Sequence, residues 1–595
     1  MFEIPITNKT MELIDCKDAW FFDEKHRVWC LEDILYTEKA TTPKFQRLSI
    51  FVPEAYMNEK GEINSAGEMN GYTAVTAPVI FENNSAGYMQ MPHVWLDGPR
   101  CYAHPYLEQG YVYVTCGNRG HESKDANGKS CGKAPVNLVD LKTGIRFIRH
   151  NRASIPGDMT KLISIGWSAG GAMSTLLAVT GDNENFIPYL EKNGAFMDES
   201  DAVYASQIYC PIVDLEHADL AYEWLFGADK ENEPSPAGPA GVMNPFQEAL
   251  SAVLSKDYIE YFNSLGLKNP ETGEKLEIGE DGRSGSGLAY LMEKLNESAT
   301  IYLTKLQNGE LPEKYSVEDY LSGNYTYEAP APMGKKEDDA DLMQGHAGPG
   351  VALNKPPMGD GPFGDKPIEP PTLGDMVSRP PKGVKAHPFV PPMMEVRGKD
   401  KKAWLSWDGN RAVISDIDSY ILNHRRRMKP CTSFDILGMD SGENKVFGNE
   451  DIPMRHFNTY IAAAIEKLKD QFPEEYAKYY EGYAQVFGDE ELARQIYLIN
   501  PFHYIGTEEK STQAGYYRIR VGAGDADTSF TVSMTLACLL AEAGKNVDYQ
   551  LVWDQPHSEA DYPGEAIAWI EEIIKRPDAG QVSDSQAEKG AWSLI

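Results

Sequence analysis

The sequence is short of positive charge and has no long apolar run, and both absences exclude classes of function. Its formal net charge is −33 at pH 7, with 56 lysines and arginines against 89 aspartates and glutamates. A polyphosphate surface requires clustered basic side chains, so we expect no nucleic acid partner. No stretch approaches the roughly 18 to 20 apolar residues of a membrane span, and residues 1–20 lack a basic region followed by an apolar one. We therefore expect a cytoplasmic protein without membrane contact.

The basic run Arg425-Arg426-Arg427 is the exception to this charge pattern. We interpret it as a solvated helix end rather than a binding patch.

Patterns that would hold a metal or a cofactor are missing as well. The eight cysteines are scattered without CxxC pairs or metal spacing, which indicates reduced thiols. No HExxH occurs, and His121-Glu122 lacks a second histidine. A dinucleotide-binding fingerprint, Gly-x-Gly-x-x-Gly, that began at Gly522 would need its third glycine at position 527, and the chain has Asp527 there. No cofactor and no catalytic metal are therefore expected.

What the chain does contain is typical of a large globular α/β protein. Over residues 1–230, short apolar runs alternate with helical patterns, and the same alternation returns over residues 501–595, which predicts a largely parallel sheet split by an insertion. Strands are predicted at Arg47–Val52, Ala77–Phe81, Tyr111–Cys116, Lys161–Gly166, Gln207–Ile212, Tyr517–Gly522 and Val547–Trp553, and helices of the closing part at Thr528–Ala543 and Pro563–Lys575.

The insertion, residues 231–500, is predicted to form a mainly helical lid. Its proline-rich part, residues 330–392, is expected to be an extended arm or linker. Amphipathic stretches predict lid helices at Asn244–Leu265, Leu288–Gln307, Asp416–Met428 and Pro453–Gln471.

The strongest local motif is Gly166-Trp-Ser168-Ala-Gly170-Gly171, which follows the apolar run that ends at Gly166. A strand that ends in Gly-x-Ser-x-Gly and continues into a helix is typical of a nucleophile elbow, in which a strained turn exposes the serine hydroxyl. Ser168 is therefore the predicted nucleophile.

A serine hydroxyl needs a base, and the base needs a carboxylate. His557 follows the apolar strand that ends at Trp553, and Asp525 follows the strand before it, which gives the order Ser, Asp, His of α/β-hydrolases. Asp527 and Asp214 remain rival acids. We expect His503 and His456 to serve packing or surface roles.

An oxyanion hole is predicted from two backbone amides. Ala169, directly after the nucleophile, supplies the first. The second is expected within the small-residue loop Ser85-Ala86-Gly87, with Ala86 and Gly87 as the candidates; the alternative is that this loop is a plain turn.

With these motifs on both sides of the insertion, the chain resembles the bacterial intracellular tannases, a tannase-like or feruloyl-esterase-like group of α/β-hydrolases. The similarity is carried by Ser49–Tyr56, Ser85–Met89, Pro156-Gly157-Asp158, the elbow, and Asp525-x-Asp527 with His557. The resemblance implies hydrolysis of galloyl esters, the reaction that releases gallic acid from tannins.

The resemblance also implies three substrate contacts. In this family a lysine and a glutamate from the lid, and an aspartate two residues after the triad acid, contact the three hydroxyls of the galloyl ring. The segment Met428–Asn444 looks like the lid motif, which assigns these roles to Lys429, Glu443 and Asp527.

We therefore expect an α/β-hydrolase with a large, mainly helical lid insertion that acts on a small aromatic ester as a serine esterase. The oligomeric state does not follow from the sequence. An esterase for feruloyl or other hydroxycinnamoyl groups is the nearest alternative, and a hydrolase fold retained as a binding scaffold is a more distant one.

Overall fold

The computed structural model describes residues 19–98, 101–232, 241–325, 400–558 and 560–576. The predicted proline-rich arm at 330–392 lies outside these residues. Among the described helices, none is both long and apolar enough to cross a membrane.

A nine-stranded sheet forms the centre of the molecule, in the order β1-β2-β3-β7-β6-β8-β9-β14-β15. The strands from β7 to β15 in this order run parallel, whereas β1, β2 and β3 add antiparallel pairs at one edge. Numbered along the described chain, the strands are β1 (Phe21–Asp23), β2 (Val28–Leu35), β3 (Arg47–Pro53), β4 (Glu68–Met69), β5 (Tyr72–Thr73), β6 (Pro78–Asn83), β7 (Val112–Cys116), β8 (Asp158–Trp167), β9 (Ala205–Tyr209), β10 (Glu231–Asn232), β11 (Gly241–Val242), β12 (Leu405–Trp407), β13 (Ala412–Ile414), β14 (Tyr516–Gly522) and β15 (Asn546–Val552).

Helices cover both faces of the sheet, which is why its inner strands are almost continuously apolar. On β8, Leu162 belongs to the core beneath one face, whereas Ile163 and Ile165 belong to the core beneath the other. The helices described are α1 (Ala103–Glu108), α2 (Val136–His150), α3 (Ala169–Val179), α4 (Ile187–Asn193), α5 (Leu215–Phe226), α6 (Pro245–Ser264), α7 (Ser286–Asn308), α8 (Val317–Ser322), α9 (Ile417–Asn423), α10 (Gly442–Val446), α11 (Thr459–Lys467), α12 (Pro473–Ala484), α13 (Glu490–Ile499), α14 (Phe530–Glu542) and α15 (Glu565–Lys575).

All seven predicted strands correspond to strands of this sheet, and both predicted helices of the closing part are present as α14 and α15. The α/β-hydrolase fold predicted from the sequence is confirmed. Since β6, β8, β9, β14 and β15 are parallel, the loops that follow them meet at one edge of the sheet.

Between β9 and β14 the described chain is mainly helical, from α5 to α13. Two predicted helices are shorter than expected. The first ends at Asn423, before the buried residues Arg425 and Arg427. The second begins only at Thr459, because the Asn458 side chain caps it by accepting hydrogen bonds from the amides at the start of α11. The boundaries 231 and 500 of the lid stay a prediction.

Candidate active site

Ser168 occupies the sharp turn between β8 and α3. Its backbone has φ 60° and ψ −128°, a strained conformation for a residue with a side chain. The neighbouring glycines make room for the turn: a Cβ on Gly166 would lie 2.4 Å from the carbonyl oxygen of Gly170, and one on Gly171 would lie 2.5 Å from that of Tyr209. Small residues are thus required on both sides of the serine, as in a nucleophile elbow.

Ser168, His557 and Asp525 form a continuous chain of hydrogen bonds at the carboxyl edge of the sheet. The Ser168 Oγ lies 2.8 Å from His557 Nε2, and His557 Nδ1 lies 2.8 Å from Asp525 Oδ2. A carboxylate only accepts, so Nδ1 carries the proton and Nε2 is free to take the serine proton. These three residues therefore have the geometry required for a nucleophile, a base and an orienting acid.

The charges around these three residues favour an anionic Asp525 and a cationic His557. Burial alone would raise the pKa of Asp525, but the imidazole of His557 and then the Arg425 guanidinium, 3.9 Å away, hold it below its usual value. Burial alone would lower the pKa of His557, but the carboxylate of Asp525 raises it well above the usual value. The imidazolium that forms when serine is deprotonated is therefore stabilised.

The rival acids have other positions. Asp214 Oδ1 lies 2.8 Å from His217 Nδ1, and Asp214 Oδ2 accepts a hydrogen bond from the Tyr261 hydroxyl at 2.7 Å. Asp527 donates its backbone amide to Asp525 Oδ1 at 2.8 Å. Asp525 is thus the carboxylate bonded to His557, and Asp527 lies beside the pair.

The two other histidines weighed as bases also have partners of their own. His456 Nδ1 lies 2.6 Å from Asp435, and His503 Nε2 lies 2.7 Å from Glu216. Neither bonds to Ser168.

The predicted oxyanion loop lies against the start of α3. A Cβ on Gly170 would lie 3.3 Å from the amide nitrogen of Ser85, and Gly87 has φ 56° within a short 3-10 helix. The amides that follow Gly87 are occupied: those of Tyr88 and Met89 donate to carbonyls at 3.0 Å. Ala86 and Gly87 therefore remain the candidates for the second donor, beside the amide of Ala169.

The three residues assigned to ring binding border this region. Lys429 is buried, with 7% of its surface exposed, and its ammonium lies 3.9 Å from the centre of the Phe434 ring. Its amide donates to the Tyr222 hydroxyl, which donates to the carbonyl of Ala526, next to Asp527, each at 3.0 Å. Lys429 is thereby tied to the loop that carries the triad acid.

Glu443 lies beside the predicted oxyanion loop. Burial and then the charge of Glu443 raise the pKa of the Tyr88 hydroxyl, and a Cβ on Gly442 would lie 3.4 Å from the carbonyl oxygen of Gly87. Within the described chain, the charged groups of Lys429, Glu443 and Asp527 make no hydrogen bond or ion pair with one another or with any other side chain.

The expectation that the arginine run is solvated is wrong for Arg425 and Arg427. Arg425 and Arg427 are both fully buried, and Arg427 pairs with Glu223. The Arg425 guanidinium lies 4.0 Å from the centre of the Phe530 ring, close to Asp525. Nothing in the local sequence signals this burial, because the aromatic partners come from distant helices.

Cys210, which follows β9, was not singled out from the sequence as a site residue. Its thiol is buried, and its sulfur lies within 4.8 Å of ligand-type atoms of Asp525 and His557. Burial raises the pKa of this thiol above its usual value, although His557 lowers it, so the group is held as a neutral thiol.

Part of this site lies in a segment that matches a family model. Residues 100–224, which include the elbow, match the family model BD-FAE, a feruloyl-esterase-like family. No curated protein matches the chain.

Solved structures match over nearly the whole length. The tannin acyl hydrolase from Lactobacillus plantarum is 26% identical, with 92% of this chain and 94% of that chain covered and a TM-score of 0.68. The tannase of Fusobacterium nucleatum is 25% identical, with 92% and 95% covered and a TM-score of 0.66. A tannin acyl hydrolase in complex with ethyl gallate is 26% identical, with 92% and 94% covered and a TM-score of 0.67. The chain has the α/β-hydrolase fold, is similar to bacterial tannases over nearly its whole length, and is a carboxylic ester hydrolase.

Proposed function

We propose that the protein is a serine esterase that hydrolyses galloyl esters through an acyl-enzyme. The observation that carries the proposal is the Ser168, His557 and Asp525 hydrogen-bond chain, which leaves Nε2 of the imidazole facing the serine hydroxyl at 2.8 Å. The protein is similar to tannin acyl hydrolases, and one of those structures is in complex with ethyl gallate. This similarity supports the galloyl group as the acyl group.

The first half of the reaction forms the acyl-enzyme. His557 Nε2 takes the Ser168 proton as the serine oxygen attacks the galloyl carbonyl carbon. The resulting oxyanion accepts hydrogen bonds from the amide of Ala169 and from that of Ala86 or Gly87. As the tetrahedral intermediate collapses, the bond to the alcohol oxygen breaks and His557 gives its proton to the departing alcohol.

The second half uses water in place of serine. His557 removes a proton from water, the hydroxide attacks the acyl carbon, and the bond to Ser168 breaks as the serine oxygen regains a proton from His557. Gallic acid leaves, and the site returns to its first state. The charge of Asp525 stabilises the imidazolium in both halves.

Ring selection is assigned to Lys429, Glu443 and Asp527. Three adjacent hydroxyls can be bound by two carboxylates and one ammonium. Each carboxylate accepts a hydrogen bond from a phenolic hydroxyl, and the ammonium donates one to a phenolic oxygen. A ring without those hydroxyls leaves these charged groups without partners in a water-poor site, which costs affinity and rate.

Turnover of methyl gallate by wild type and by Ser168→Ala tests the nucleophile. We expect the variant to lose turnover and to keep the affinity for methyl gallate measured by calorimetry, because the ring contacts are unchanged. Hydrolysis at the wild-type rate by the variant would refute the role given to Ser168.

The match to the feruloyl-esterase-like family model favours one alternative, an esterase for hydroxycinnamoyl groups. Assays of methyl gallate, methyl ferulate and p-nitrophenyl acetate side by side distinguish the two. A higher kcat/KM for methyl ferulate would favour the alternative and would remove the ring-binding roles of Lys429, Glu443 and Asp527.

A further inference from the structure

A second cluster of ligand-type side chains lies apart from the triad, at the antiparallel edge of the sheet. His26 comes from the turn between β1 and β2, Asp97 from the segment before α1, and His104 from α1 itself. One nitrogen of each histidine and one oxygen of the aspartate all lie within 4.8 Å of one another. His26 Nε2 lies 3.4 Å from Asp97 Oδ1.

His26 is oriented by an acceptor on its other nitrogen. His26 Nδ1 lies 3.1 Å from Asp23 Oδ1. A carboxylate accepts hydrogen bonds, so Nδ1 carries the proton. The Nε2 atom, which faces Asp97, is then the unprotonated nitrogen, and this is the arrangement found in metal-binding histidines.

We propose that His26, Asp97 and His104 bind a divalent transition metal ion, for which Zn²⁺ is the best fit. Two imidazoles and one carboxylate suit Zn²⁺, which takes nitrogen and oxygen ligands at about 2.0–2.2 Å and completes a tetrahedron with a fourth ligand. A water molecule would supply the fourth ligand, because the cluster offers three side chains. Ca²⁺ and Mg²⁺ are disfavoured because they prefer sites made of oxygen alone.

One cation competes for the same carboxylate. Lys25 Nζ lies 3.1 Å from Asp97 Oδ1, with side chains that are 71% and 60% exposed. Ion pairs between such exposed groups are weak and easily exchanged. Lys25 can therefore turn into solvent when the metal binds, and Asp97 remains accessible from solution.

The metal would act on stability rather than on chemistry. It joins the turn at His26 to α1, and Tyr102 at the start of α1 packs edge-to-face on Trp167, with ring centres 4.8 Å apart. Binding to the folded state alone raises the midpoint of unfolding. We expect Zn²⁺ to raise the melting temperature without being required for ester hydrolysis.

The test uses the full chain, treated with EDTA and dialysed, in a titration with ZnCl₂ followed by calorimetry and thermal unfolding. The expected result is saturable binding with a rise in melting temperature, absent with CaCl₂ and MgCl₂. His26→Gln and His104→Gln should each weaken Zn²⁺ binding at least 10-fold. Asp23→Ala should weaken it about 10- to 100-fold through the orientation of His26.

Two controls locate the binding. His150→Gln changes a histidine that stacks on Phe196 outside the cluster and should bind Zn²⁺ as wild type does. Cys210→Ser removes the thiol from a second group of three ligand-type side chains within the described residues, Cys210, Asp525 and His557, and should leave the thermal shift intact. Far-UV circular dichroism and the metal-free melting temperature establish that each variant folds.

Unchanged Zn²⁺ affinity in both His26→Gln and His104→Gln would overturn the proposal, as would the absence of saturable binding to wild type. A shift abolished by Cys210→Ser would place the ion at the triad and would equally overturn it.

Discussion

Replacing Lys429 by methionine separates recognition of the ring from the ester chemistry. Methionine keeps an unbranched apolar stem and removes the ammonium, which is nearly buried and has no carboxylate partner in the described chain. If this ammonium donates to a ring hydroxyl, its loss removes one charge-assisted hydrogen bond, worth about 1.5–3 kcal/mol. At about 1.4 kcal/mol for each factor of ten, kcat/KM for methyl gallate should fall about 10- to 150-fold.

The same variant should hydrolyse p-nitrophenyl acetate nearly as wild type does, because an acetyl group has no hydroxyls to contact. The assay is therefore the ratio of kcat/KM for the two esters. Stability should change little, because the loss of the cation–π contact with Phe434 is offset by removal of a nearly buried charge. Lys478→Met is the matched control, since this exposed lid lysine also lies over a ring, 4.6 Å from the centre of Tyr479. An equal fall for both esters in Lys429→Met would refute the reasoning.

Three further predictions concern the groups around the triad. Asp525→Asn should lower kcat by about 10⁴, because the imidazole loses the acceptor that fixes its tautomer; steady-state assay of methyl gallate checks this, and near-normal kcat would contradict it. The pKa of His557 is raised by the negative charges of Asp525 and Asp527, so kcat/KM should fall as pH drops through that pKa. Asp527→Asn should lower the pKa and move the acid limb to lower pH, whereas an unmoved limb would contradict the charge argument. Arg425→Met should lower the free energy of unfolding in urea by about 3–5 kcal/mol, because the buried Asp525 loses one of the two cationic groups that hold its charge; stability equal to wild type would contradict this.

The sequence predicted those parts of the fold and site that depend on local pattern. The apolar run before Ser168 and the glycines around it specify a strand, a tight turn and a helix within a short segment, so the elbow could be identified directly. Asp525 and His557 were identified because each follows a strand, and parallel strands bring such loops to one edge. The alternation of strands and helices on both sides of the insertion predicted the split sheet for the same reason.

What escaped prediction depends on contacts between distant segments. The three arginines from Arg425 looked solvated because charge runs usually are, yet Glu223 and the ring of Phe530, far away in sequence, allow two of them to be buried. The cap at Asn458 shortened a helix that periodicity alone extended to residue 453. The thiol of Cys210 lies near His557 because β9 and β15, the strands that precede these two residues, are the two neighbours of β14 in the sheet.

The most direct test of the central claim is the intact mass of the enzyme after a rapid acid quench from methyl gallate, followed by peptide mapping. The account predicts an increase of one galloyl group, located on Ser168 and absent from Ser168→Ala. Steady hydrolysis by wild type with no acyl adduct, together with no labelling of Ser168 by a fluorophosphonate probe, would contradict it.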